Sequence, residues 1–398
     1  MSTTLRSVIC KKIKDSGALT VAEFMSLALY HPVHGYYARA PKRTGRTGDY
    51  FTSVDVGPQF GRLLAKQLDE MCQLLGSGST RNFELVEVGA SNGQLALDIL
   101  DAATPLYPQL YEAIKLTLVE ASPSARAIQR ETLGKHQELL VRQPETLPDK
   151  ICGVILANEL LDALPTHAVT MTTDGLREVF IGLDGKRFVE RIGPPSTPEL
   201  ARYLKRLDIT PETGWRGEIN LAAIDWIRSA SQRLQRGFII LIDYGYQATE
   251  LYSGHLNTGT LTTFHRHLVS VHGIDPQQLD DPEWLACPGE QDITSHVDLT
   301  SVRNAALAEG LDELGFIDQT KFLLGLGALD MTNVGLSEPD ALRHRLAIKT
   351  LLVPGGLGST HQVLLLGKQV GSPPLIGSSL SKAGIWKDHK NHANPLLT

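Results

Sequence analysis

Apolar and polar residues change their spacing along the chain, which separates a helical first part from an alternating second part. In residues 57–75, GPQFGRLLAKQLDEMCQLL, apolar side chains recur three and four positions apart, which predicts an amphipathic helix. Thr20-Val-Ala-Glu23 has the spacing of a capping box and predicts a helix start before FMSLALY. Between these helices, residues 31–53 are rich in Gly, Pro and charge and predict a long surface loop.

From Phe83 onward, short apolar runs alternate with helical periodicity. Five of these runs predict strands: FELVEVG, IKLTLVE, ELLVRQ, ICGVILANE and FIILIDYG. Their βαβαβ order predicts a parallel sheet covered by helices on both faces, so the predicted fold class is α/β. Helices are also predicted at 298–309 and 338–352, and a last strand at HQVLLLGKQV.

Residues 165–236 interrupt this alternation and predict an insertion into the sheet. Turn signals at Asp174-Gly175 and Asp184-Gly185 predict antiparallel hairpins, and the stretch EINLAAIDWIRSASQRLQRG predicts a helix after them. Residues 371–398 contain several Ser, Pro and Lys with little apolar periodicity, which predicts a loose tail.

Composition and charge narrow the class of protein. The 398 residues are 42% hydrophobic and 21% charged, which is typical of a globular chain with a sizeable core. A formal net charge of −6 gives the chain no overall attraction to nucleic acid or to anionic membranes. The four cysteines form no C-x-x-C pair, which predicts neither a disulfide framework nor a zinc site. Without a long apolar run, we expect a cytoplasmic protein with no membrane span.

Candidate chemistry is concentrated in LVEVGASNGQLALDIL, which has two interpretations. Its G-x-S-x-G spacing is that of a turn carrying a nucleophilic Ser91, as in serine hydrolases. That interpretation needs several strands before the turn, and an Asp and a His after later strands. Asp243 and His272 are the available pair, but Glu87, in a hydrophobic strand, then has no role.

The second interpretation is a cofactor loop. Gly89 and Gly93 flank a turn that opens a helix, where the backbone can approach a ligand closely. Neither the dinucleotide pattern G-x-G-x-x-G nor the phosphate loop is present. Glu87 precedes the turn, and Glu120 closes the next strand, where an acid can accept both hydroxyls of a ribose. A nucleoside that carries an amino acid and no pyrophosphate fits this layout, and S-adenosyl-L-methionine is such a molecule.

Further acidic residues follow the later strands. Asn158, Glu159 and Asp162 lie in NELLDALP, beyond the carboxyl end of a strand, where open α/β sheets bind ligands. The alternative is that these residues only cap the loop. Asp243 ends the strand FIILIDYG, where it can face the site or fix the following turn. Asp49 and Asp55 of the N-terminal loop are predicted to help Glu159 and Asp162 bind the group that accepts the methyl. Gly48-Asp49 is also a turn signal, so Asp49 can instead be a turn residue.

Histidines 265, 267 and 272 raise a metal hypothesis. No other ligands occur at matching spacing, so a surface or core role for them is favoured and no metal is predicted. Residues 48–53, GDYFTS, are predicted to form a lid over the cofactor, and Asp292 and His296, in DITSHVD, are predicted to support this lid or to line the cleft for the methyl acceptor.

Eight ordered segments resemble the MidA-like methyltransferases, a family that includes a mitochondrial complex I assembly factor methylating an arginine. The segments are HPVHGYY, GRTGDYFTSVDVGPQFG, VEVGASNGQLALDIL, LVEASPSARAIQRETL, NELLDALP, LIDYGY, GTLTTFHRHLVS and GEQDITSHVDLTSV. The sequence departs from the family where EVGASNGQL replaces ELGPGRGTL, which removes one glycine and an arginine. Gly259 and Thr262 stand where Asp and Arg are common, and the acid after the TS pair is Asp55.

The resemblance implies a class I methyltransferase: a Rossmann-like α/β sheet with an N-terminal helical and lid region and a β-hairpin/helix insertion. It divides the chain into an N-terminal helical region with a lid loop (1–80), a cofactor-binding core (81–164 and 237–370), an inserted substrate-facing subdomain (165–236) and a tail (371–398). S-adenosyl-L-methionine is then the cofactor, S-adenosyl-L-homocysteine the product, and no metal is needed. The implied cofactor-binding residues are Glu87, Gly89, Ser91, Gly93, Glu120, Asn158, Gly48 and Thr52, and the implied catalytic residues are Glu159, Asp162, Asn158 and Asp49.

The resemblance also implies an acceptor. It suggests N-methylation of an arginine in a partner protein, such as a respiratory-chain subunit, without nucleic acid or membrane insertion and with room for a homodimer. A mitochondrial matrix location is implied only for a eukaryotic source. Two alternatives stay open: a serine hydrolase that uses Ser91, and a noncatalytic assembly factor on a methyltransferase fold.

Overall fold

The computed structural model describes residues 4–38, 52–76, 82–265, 268–271, 282–330, 337–353 and 360–382. The helices are α1 (Leu5–Ser16), α2 (Val21–Tyr30), α3 (Gln59–Leu74), α4 (Gln94–Leu106), α5 (Pro108–Ala113), α6 (Pro123–Leu133), α7 (Glu199–Arg206), α8 (Leu221–Arg233), α9 (Ala248–Leu251), α10 (Glu283–Ala286), α11 (Leu299–Ala308), α12 (Gln319–Gly325), α13 (Glu338–Leu352) and α14 (Ser379–Lys382). The strands are β1 (Leu19–Thr20), β2 (Phe83–Val88), β3 (Ile114–Val119), β4 (Leu140–Arg142), β5 (Ile151–Asn158), β6 (His167–Thr172), β7 (Gly175–Asp184), β8 (Arg187–Gly193), β9 (Arg216–Ile219), β10 (Leu234–Tyr246), β11 (Thr262–His265), β12 (Leu268–Val271), β13 (Asp292–Thr294), β14 (Val297–Asp298), β15 (Asp312–Asp318) and β16 (His361–Lys368).

The central sheet has the strand order β15-β16-β10-β5-β2-β3-β4, with β14 paired to β10. The five strands from β10 to β4 are parallel, and β16 runs antiparallel between β10 and β15. All five predicted strands are therefore present and lie side by side, which is the α/β architecture predicted from the alternation. Because β2, β3, β5 and β10 are parallel, their carboxyl ends meet at one edge of the sheet.

Each face of the central sheet buries its own core. One core packs the sheet against α3 and α4, with Phe60 and Leu95 fully enclosed. The other packs the sheet against α8 and α11, with Ile227 and Ala306 enclosed. No helix lies between β4 and β5, because residues 143–150 cross in an irregular segment. The second face is therefore uncovered beside β3, and a cavity opens there.

A second unit combines the N-terminal region with the predicted insertion. Its sheet has the strand order β1-β7-β6-β9, and β8 pairs with β7 outside this order. A third core joins α1 and α2 to this sheet. In it the Phe24 and Phe188 rings pack edge to face, with their centroids 5.8 Å apart. Strands β11, β12 and β13 form a separate three-stranded sheet whose Ile293 belongs to the same core. The N-terminal region and the insertion thus share one sheet.

Local sequence signals determine where several helices begin. The predicted capping box is present, since the Thr20 side chain accepts from Glu23 N and the Glu23 carboxylate accepts from Thr20 N at 2.9 Å. The helix predicted after the hairpins starts at Leu221 rather than Glu218, because 216–219 pair with β6 and the Asn220 side chain caps the helix. The 298–309 and 338–352 helices lie where the periodicity predicts them.

The prediction of a loose tail is wrong for residues 371–382. Leu375 is 1% exposed and belongs to the first core, and residues 376–378 form a 3₁₀ turn. Gly377 N donates to Gln67 Oε1 at 3.0 Å, and Ile376 N donates to the Glu70 carboxylate at 2.9 Å. Hydrogen bonds from the main chain of this segment to side chains of α3 therefore fix it. The prediction failed because the spacing of apolar residues carries no information about such bonds.

Several predicted residues lie outside the described ranges. These are Gly48 and Asp49 of the lid segment, His267, His272 and residues 383–398. Within the described ranges, no group of three His, Cys, Asp or Glu side chains is arranged to hold a metal ion. No helix of the described chain is long and apolar enough to cross a membrane.

Candidate active site

A cavity of about 530 Å³ opens at the carboxyl ends of the parallel strands. This volume is within the range of small-molecule sites, and the position is the one where α/β sheets bind ligands. Its walls come from the turn after β2, the loop after β3, the crossing before β5, the NELLDALP loop, α8 and three tyrosines of the N-terminal region. Among the lining residues are Gly89, Ser91, Glu120, Ala121, Thr146, Leu147, Glu159, Leu160, Trp226, Tyr30, Tyr36 and Tyr37.

The turn after β2 is left-handed at three positions. Gly89, Ser91 and Gly93 have φ values of 71°, 46° and 86°. A Cβ at Gly89 would lie 3.1 Å from Leu160 Cδ1, and one at Gly93 would lie 3.2 Å from Leu118 Cδ1, so both positions suit glycine. Ser91 occupies the position where the resembled family has glycine, and it adopts the conformation that glycine tolerates best.

We expect Ser91→Gly to stabilise the protein by about 1 kcal/mol, because a left-handed conformation costs a non-glycine residue roughly that amount. Thermal unfolding of the cofactor-free protein measures the gain. Asn92→Gly is the matched control, since Asn92 has no positive φ and its side chain accepts from Gln94 N at 3.1 Å. The control is expected to lower stability. A loss of stability in Ser91→Gly would contradict this account of the turn.

Glu120 ties the turn to the loop after β3. Its Oε2 accepts from Ser91 N at 2.8 Å, and its Oε1 accepts from Ser122 N at 2.7 Å. Gln129 Nε2 also donates to Ser91 O at 2.8 Å. The carboxylate thus lies in the cavity wall between the two loops, and each oxygen keeps a lone pair for a further donor.

The geometry does not favour Ser91 as a nucleophile. Its hydroxyl forms no hydrogen bond with any described residue, and its main chain supports Glu120 instead. Asp243, the acid available to a hydrolase, accepts from Leu160 N, Leu161 N and Tyr244 N. Asp243 therefore holds the NELLDALP loop, which follows β5, against β10. His272 lies outside the described residues.

Glu87 and Asn158 lie on one face at the ends of neighbouring strands. Glu87 alternates with Leu85, which is in the first core, and Asn158 alternates with Leu156 of that core. The buried atoms Glu87 Oε2 and Asn158 Oδ1 have no hydrogen-bond donor within the described part of the chain. Val88, one position on, lines the cavity from the other face. A ligand crossing Gly89 from the cavity would reach both unpaired acceptors, which suit an ammonium group.

Burial raises the pKa of Glu87 from 4.5 to about 8, with smaller contributions from Asp98 and Glu120. Protonated Glu87 therefore stabilises the folded, cofactor-free protein. This contribution is complete below pH 4.5 and is lost as the pH rises through 8, by up to about 1.4 kcal/mol per pH unit.

We expect Glu87→Gln to flatten the decline of unfolding free energy between pH 5 and pH 8. Denaturant unfolding at several pH values measures the difference from the unmodified protein. Added S-adenosyl-L-homocysteine should reduce the same decline in the unmodified protein, because a ligand ammonium favours the charged carboxylate. Parallel declines in the two proteins would show that Glu87 does not carry this proton.

Glu159 is held at the cavity by its backbone and by one carboxylate oxygen. It has a φ of 51°, and its N–H donates to Ile242 O at 2.8 Å. Three donors approach Oε1: Ser53 N at 3.4 Å, Asn158 Nδ2 at 3.5 Å and His361 Nε2 at 3.3 Å. Oε2 has no donor among the described residues, and the side chain lines the cavity. Of the three predicted catalytic residues that the structure describes, Glu159 lines the wall, and Asn158 and Asp162 lie outside the lining.

Two more buried carboxylates adjoin Glu159. Burial, together with repulsion from Asp243, Glu159 and Asp292, holds the pKa of Asp162 well above its usual range. Burial also raises the pKa of Asp243 to about 7, although Leu161 N favours its charge. Burial and mutual repulsion thus favour the protonated forms of these two carboxyls, and a cation bound beside them would favour their charged forms.

Other predicted residues have structural partners. Thr52 Oγ1 and N both donate to Asp55 Oδ2 at 2.9 Å, so these two side chains close a turn of the N-terminal loop. Burial lowers the pKa of His296, whose ring packs edge-on against Tyr246. Asp292 accepts from Tyr37 O–H at 2.9 Å, which links β13 to the cavity wall.

Sequence reasoning missed the tyrosines and His361. Tyr30 O–H donates to Ala163 O at 3.0 Å, and Tyr37 lines the cavity, so the N-terminal region supplies one wall. The HPVHGYY segment was available as a signal, because aromatic residues in a long loop are enriched at binding sites. His361 begins an ordinary hydrophobic strand, and no pattern marks it.

Comparison with known proteins gives three kinds of match. A family model for S-adenosyl-L-methionine-dependent methyltransferases matches residues 63–317. A mouse protein named protein arginine methyltransferase NDUFAF7, mitochondrial, is 31% identical over 352 residues, which cover 79% of this chain and 72% of the mouse protein. The bovine protein of the same name is 29% identical over 394 residues, covering 89% and 81%.

Solved structures extend the likeness to three dimensions. A crystal structure from Burkholderia thailandensis, bound to S-adenosyl-homocysteine, superposes with a TM-score of 0.82 at 27% identity and covers 94% of both chains. A native structure from the same organism gives a TM-score of 0.79 at the same identity and coverage. The likeness therefore spans the N-terminal and inserted unit as well as the central sheet.

Proposed function

This chain belongs to the S-adenosyl-L-methionine-dependent methyltransferase family whose model matches residues 63–317, and we propose that it methylates an arginine side chain of a partner protein. The fold is that of a class I methyltransferase, and the cofactor is S-adenosyl-L-methionine. One observation supports the choice of acceptor above all. Glu159 lines the cavity, no residue of the described ranges donates to its Oε2, and buried Asp162 and Asp243 lie behind it.

The residues present fit the cofactor. Glu120 lies between the two loops with lone pairs available to ribose hydroxyls, and Thr146 and Leu147 continue the wall beside it. Glu87 Oε2 and Asn158 Oδ1 are buried acceptors to which no described residue donates, as an α-ammonium group requires. When bound, the cofactor supplies a methyl group from its sulfonium sulfur.

The carboxylates suit a guanidinium acceptor. Arginine has a pKa above 12, so one of its nitrogens must be localised before it becomes nucleophilic. A carboxylate that accepts two N–H groups achieves this and fixes the orientation of the planar group. Glu159 Oε2 is available for that contact. The acceptor loses one proton for each methyl group gained, and Glu159 is also placed to take that proton.

A labelling experiment tests the proposed acceptor. Purified protein is incubated with methyl-labelled S-adenosyl-L-methionine and a hypomethylated cell extract, and the labelled peptides are sequenced by mass spectrometry. We expect label on arginine, and none above background with Glu159→Gln. Label on another residue, or only in the small-molecule fraction, would refute arginine as the acceptor. An absence of label from a protein that binds S-adenosyl-L-homocysteine would support a noncatalytic role.

Partner and location are part of the same proposal. The mouse and bovine relatives are named as mitochondrial, and the cytoplasmic location expected from the sequence stays a prediction. We propose a protein partner, with a respiratory-chain subunit as the first to be tested. Cell fractionation followed by identification of the labelled protein addresses both points.

A further inference from the structure

We propose that His361 is a positioning residue that holds Glu159 Oε1, so that Oε2 is presented to the acceptor. The inference rests on the proposed function for its catalytic consequence, but the contact itself can be tested without activity. No sequence signal marks His361, and it lies about two hundred positions beyond Glu159, on the antiparallel strand β16.

His361 is locked in place by its surroundings. It is the first residue of β16, opposite Tyr244 in the ladder with β10, and it is 0% exposed. Its ring lies against the Tyr244 ring with centroids 3.8 Å apart. A fully enclosed ring packed on an aromatic neighbour has little rotamer freedom, so the direction of Nε2 is determined by the fold.

The fixed ring brings Nε2 to Glu159. The Nε2–Oε1 distance is 3.3 Å, and the angle of this contact lies off the hydrogen-bond line. Catalytic contacts of this kind tighten when a ligand binds. Ser53 N and Asn158 Nδ2 approach the same oxygen at 3.4 and 3.5 Å. Two N–H donors and the His361 ring therefore meet Oε1 and restrict the carboxylate rotamer, while no described residue donates to Oε2.

The charges around His361 explain why an imidazole suits this position. Glu159 and Asp243 are the carboxylates that face it, Tyr244 is the titratable side chain whose tilted ring packs on it, and Asp162 adjoins all three of these residues. The N–H group of an imidazole at this position offsets the repulsion among Glu159, Asp243 and Asp162. A phenyl ring of nearly the same shape would keep the packing and remove that effect.

Two variants separate positioning from packing. His361→Phe keeps the ring but removes the donor, and His361→Gln restores a donor without the ring. With the acceptor identified by labelling, we expect kcat to fall about 10- to 100-fold in His361→Phe and less than about 10-fold in His361→Gln. The KM for the acceptor should change less than about threefold, and the affinity for S-adenosyl-L-homocysteine should be unchanged.

His136→Phe is the matched control. His136 is 1% exposed, and it is bonded to Tyr111 and Asp101 away from the cavity. It should lose stability without losing kcat. An unchanged kcat in His361→Phe, or equal losses in His361→Phe and His361→Gln, would overturn the proposal.

A spectroscopic measurement tests the contact without turnover. In ¹⁵N-labelled cofactor-free protein, the His361 resonances are assigned by their loss in His361→Gln. We expect an Nε2–H signal that shifts in Glu159→Gln and not in Glu145→Gln, because Glu145 pairs with Arg126 and not with His361. Absence of any shift in Glu159→Gln would overturn the contact. If the shift occurs and no methyl transfer is found, the proposed function fails and the contact stands.

Discussion

Replacing Glu159 with glutamine is expected to lower kcat for methyl transfer about 100- to 1,000-fold, since it removes both a charge and a proton acceptor from the reacting centre. The affinity for S-adenosyl-L-homocysteine should change less than about twofold, because Glu120 and the turn after β2 are untouched. Rapid-quench assays with labelled donor measure kcat, and calorimetry measures the affinity.

Stability gives this variant a second signature. Glu159 contributes to the raised pKa of both Asp162 and Asp243, so removing its charge relieves repulsion between buried acids. The unfolding free energy of Glu159→Gln near pH 7 should therefore equal or exceed that of the unmodified protein. Loss of activity with retained stability excludes misfolding as the cause.

Glu145→Gln is the control for cavity charge. Glu145 also lines the cavity, but its side chain is 68% exposed and pairs with Arg126. It should keep nearly full kcat, as exposed ion pairs contribute little. If Glu159→Gln retained kcat as well, the acceptor would have to bind elsewhere and the site assignment would be wrong.

Glu120→Ala has the second large expected effect, a loss of about 100-fold in affinity for S-adenosyl-L-homocysteine. Two backbone N–H groups, of Ser91 and Ser122, lose their acceptor, and each hydrogen bond to a charged group is worth about 1.5–3 kcal/mol. Part of that free energy holds the loops after β2 and β3 in the conformation that binds the cofactor, so losing it lowers the affinity. Calorimetric titration measures the change.

A graded series strengthens this test. Glu120→Gln keeps one acceptor oxygen and should lose about 10-fold in affinity, between the unmodified protein and the alanine variant. Glu131→Ala, an exposed position on α6, should leave affinity unchanged. Equal affinity in Glu120→Ala and Glu131→Ala would show that Glu120 does not support the cofactor.

The sheet was predictable because its strands are apolar on both faces. Ile151–Asn158 is a nearly continuous hydrophobic run, which is how buried parallel strands appear in sequence, and Glu84 and Glu87 alone interrupt the run in Phe83–Val88. Strand β15 was missed because three acidic residues interrupt DELGFID, which joins the sheet by pairing with β16. The 371–382 segment was missed because hydrogen bonds to Gln67 and Glu70 hold it.

The site was predictable only where its residues directly follow strands. Glu120 and Glu159 come immediately after β3 and β5, so the rule that ligands bind at strand ends located both. Asp243 was predicted to end its strand, but it lies inside β10, one residue beyond the last pair with β5, and it accepts hydrogen bonds from Leu160 N and Leu161 N. Tyr37 and His361 reach the site through long-range packing, which a linear pattern cannot show.

The pairing of β1 with β7 has a consequence for synthesis of the chain. Leu19 pairs with Ile181, so the first strand leaves the ribosome many seconds before its partner is made. During that interval the apolar faces of α1 and α2 have no sheet to cover them, and chaperones would be needed to shield them. A nascent chain arrested before residue 175 should therefore be digested by protease at its first two helices, while one arrested well beyond residue 219 should resist.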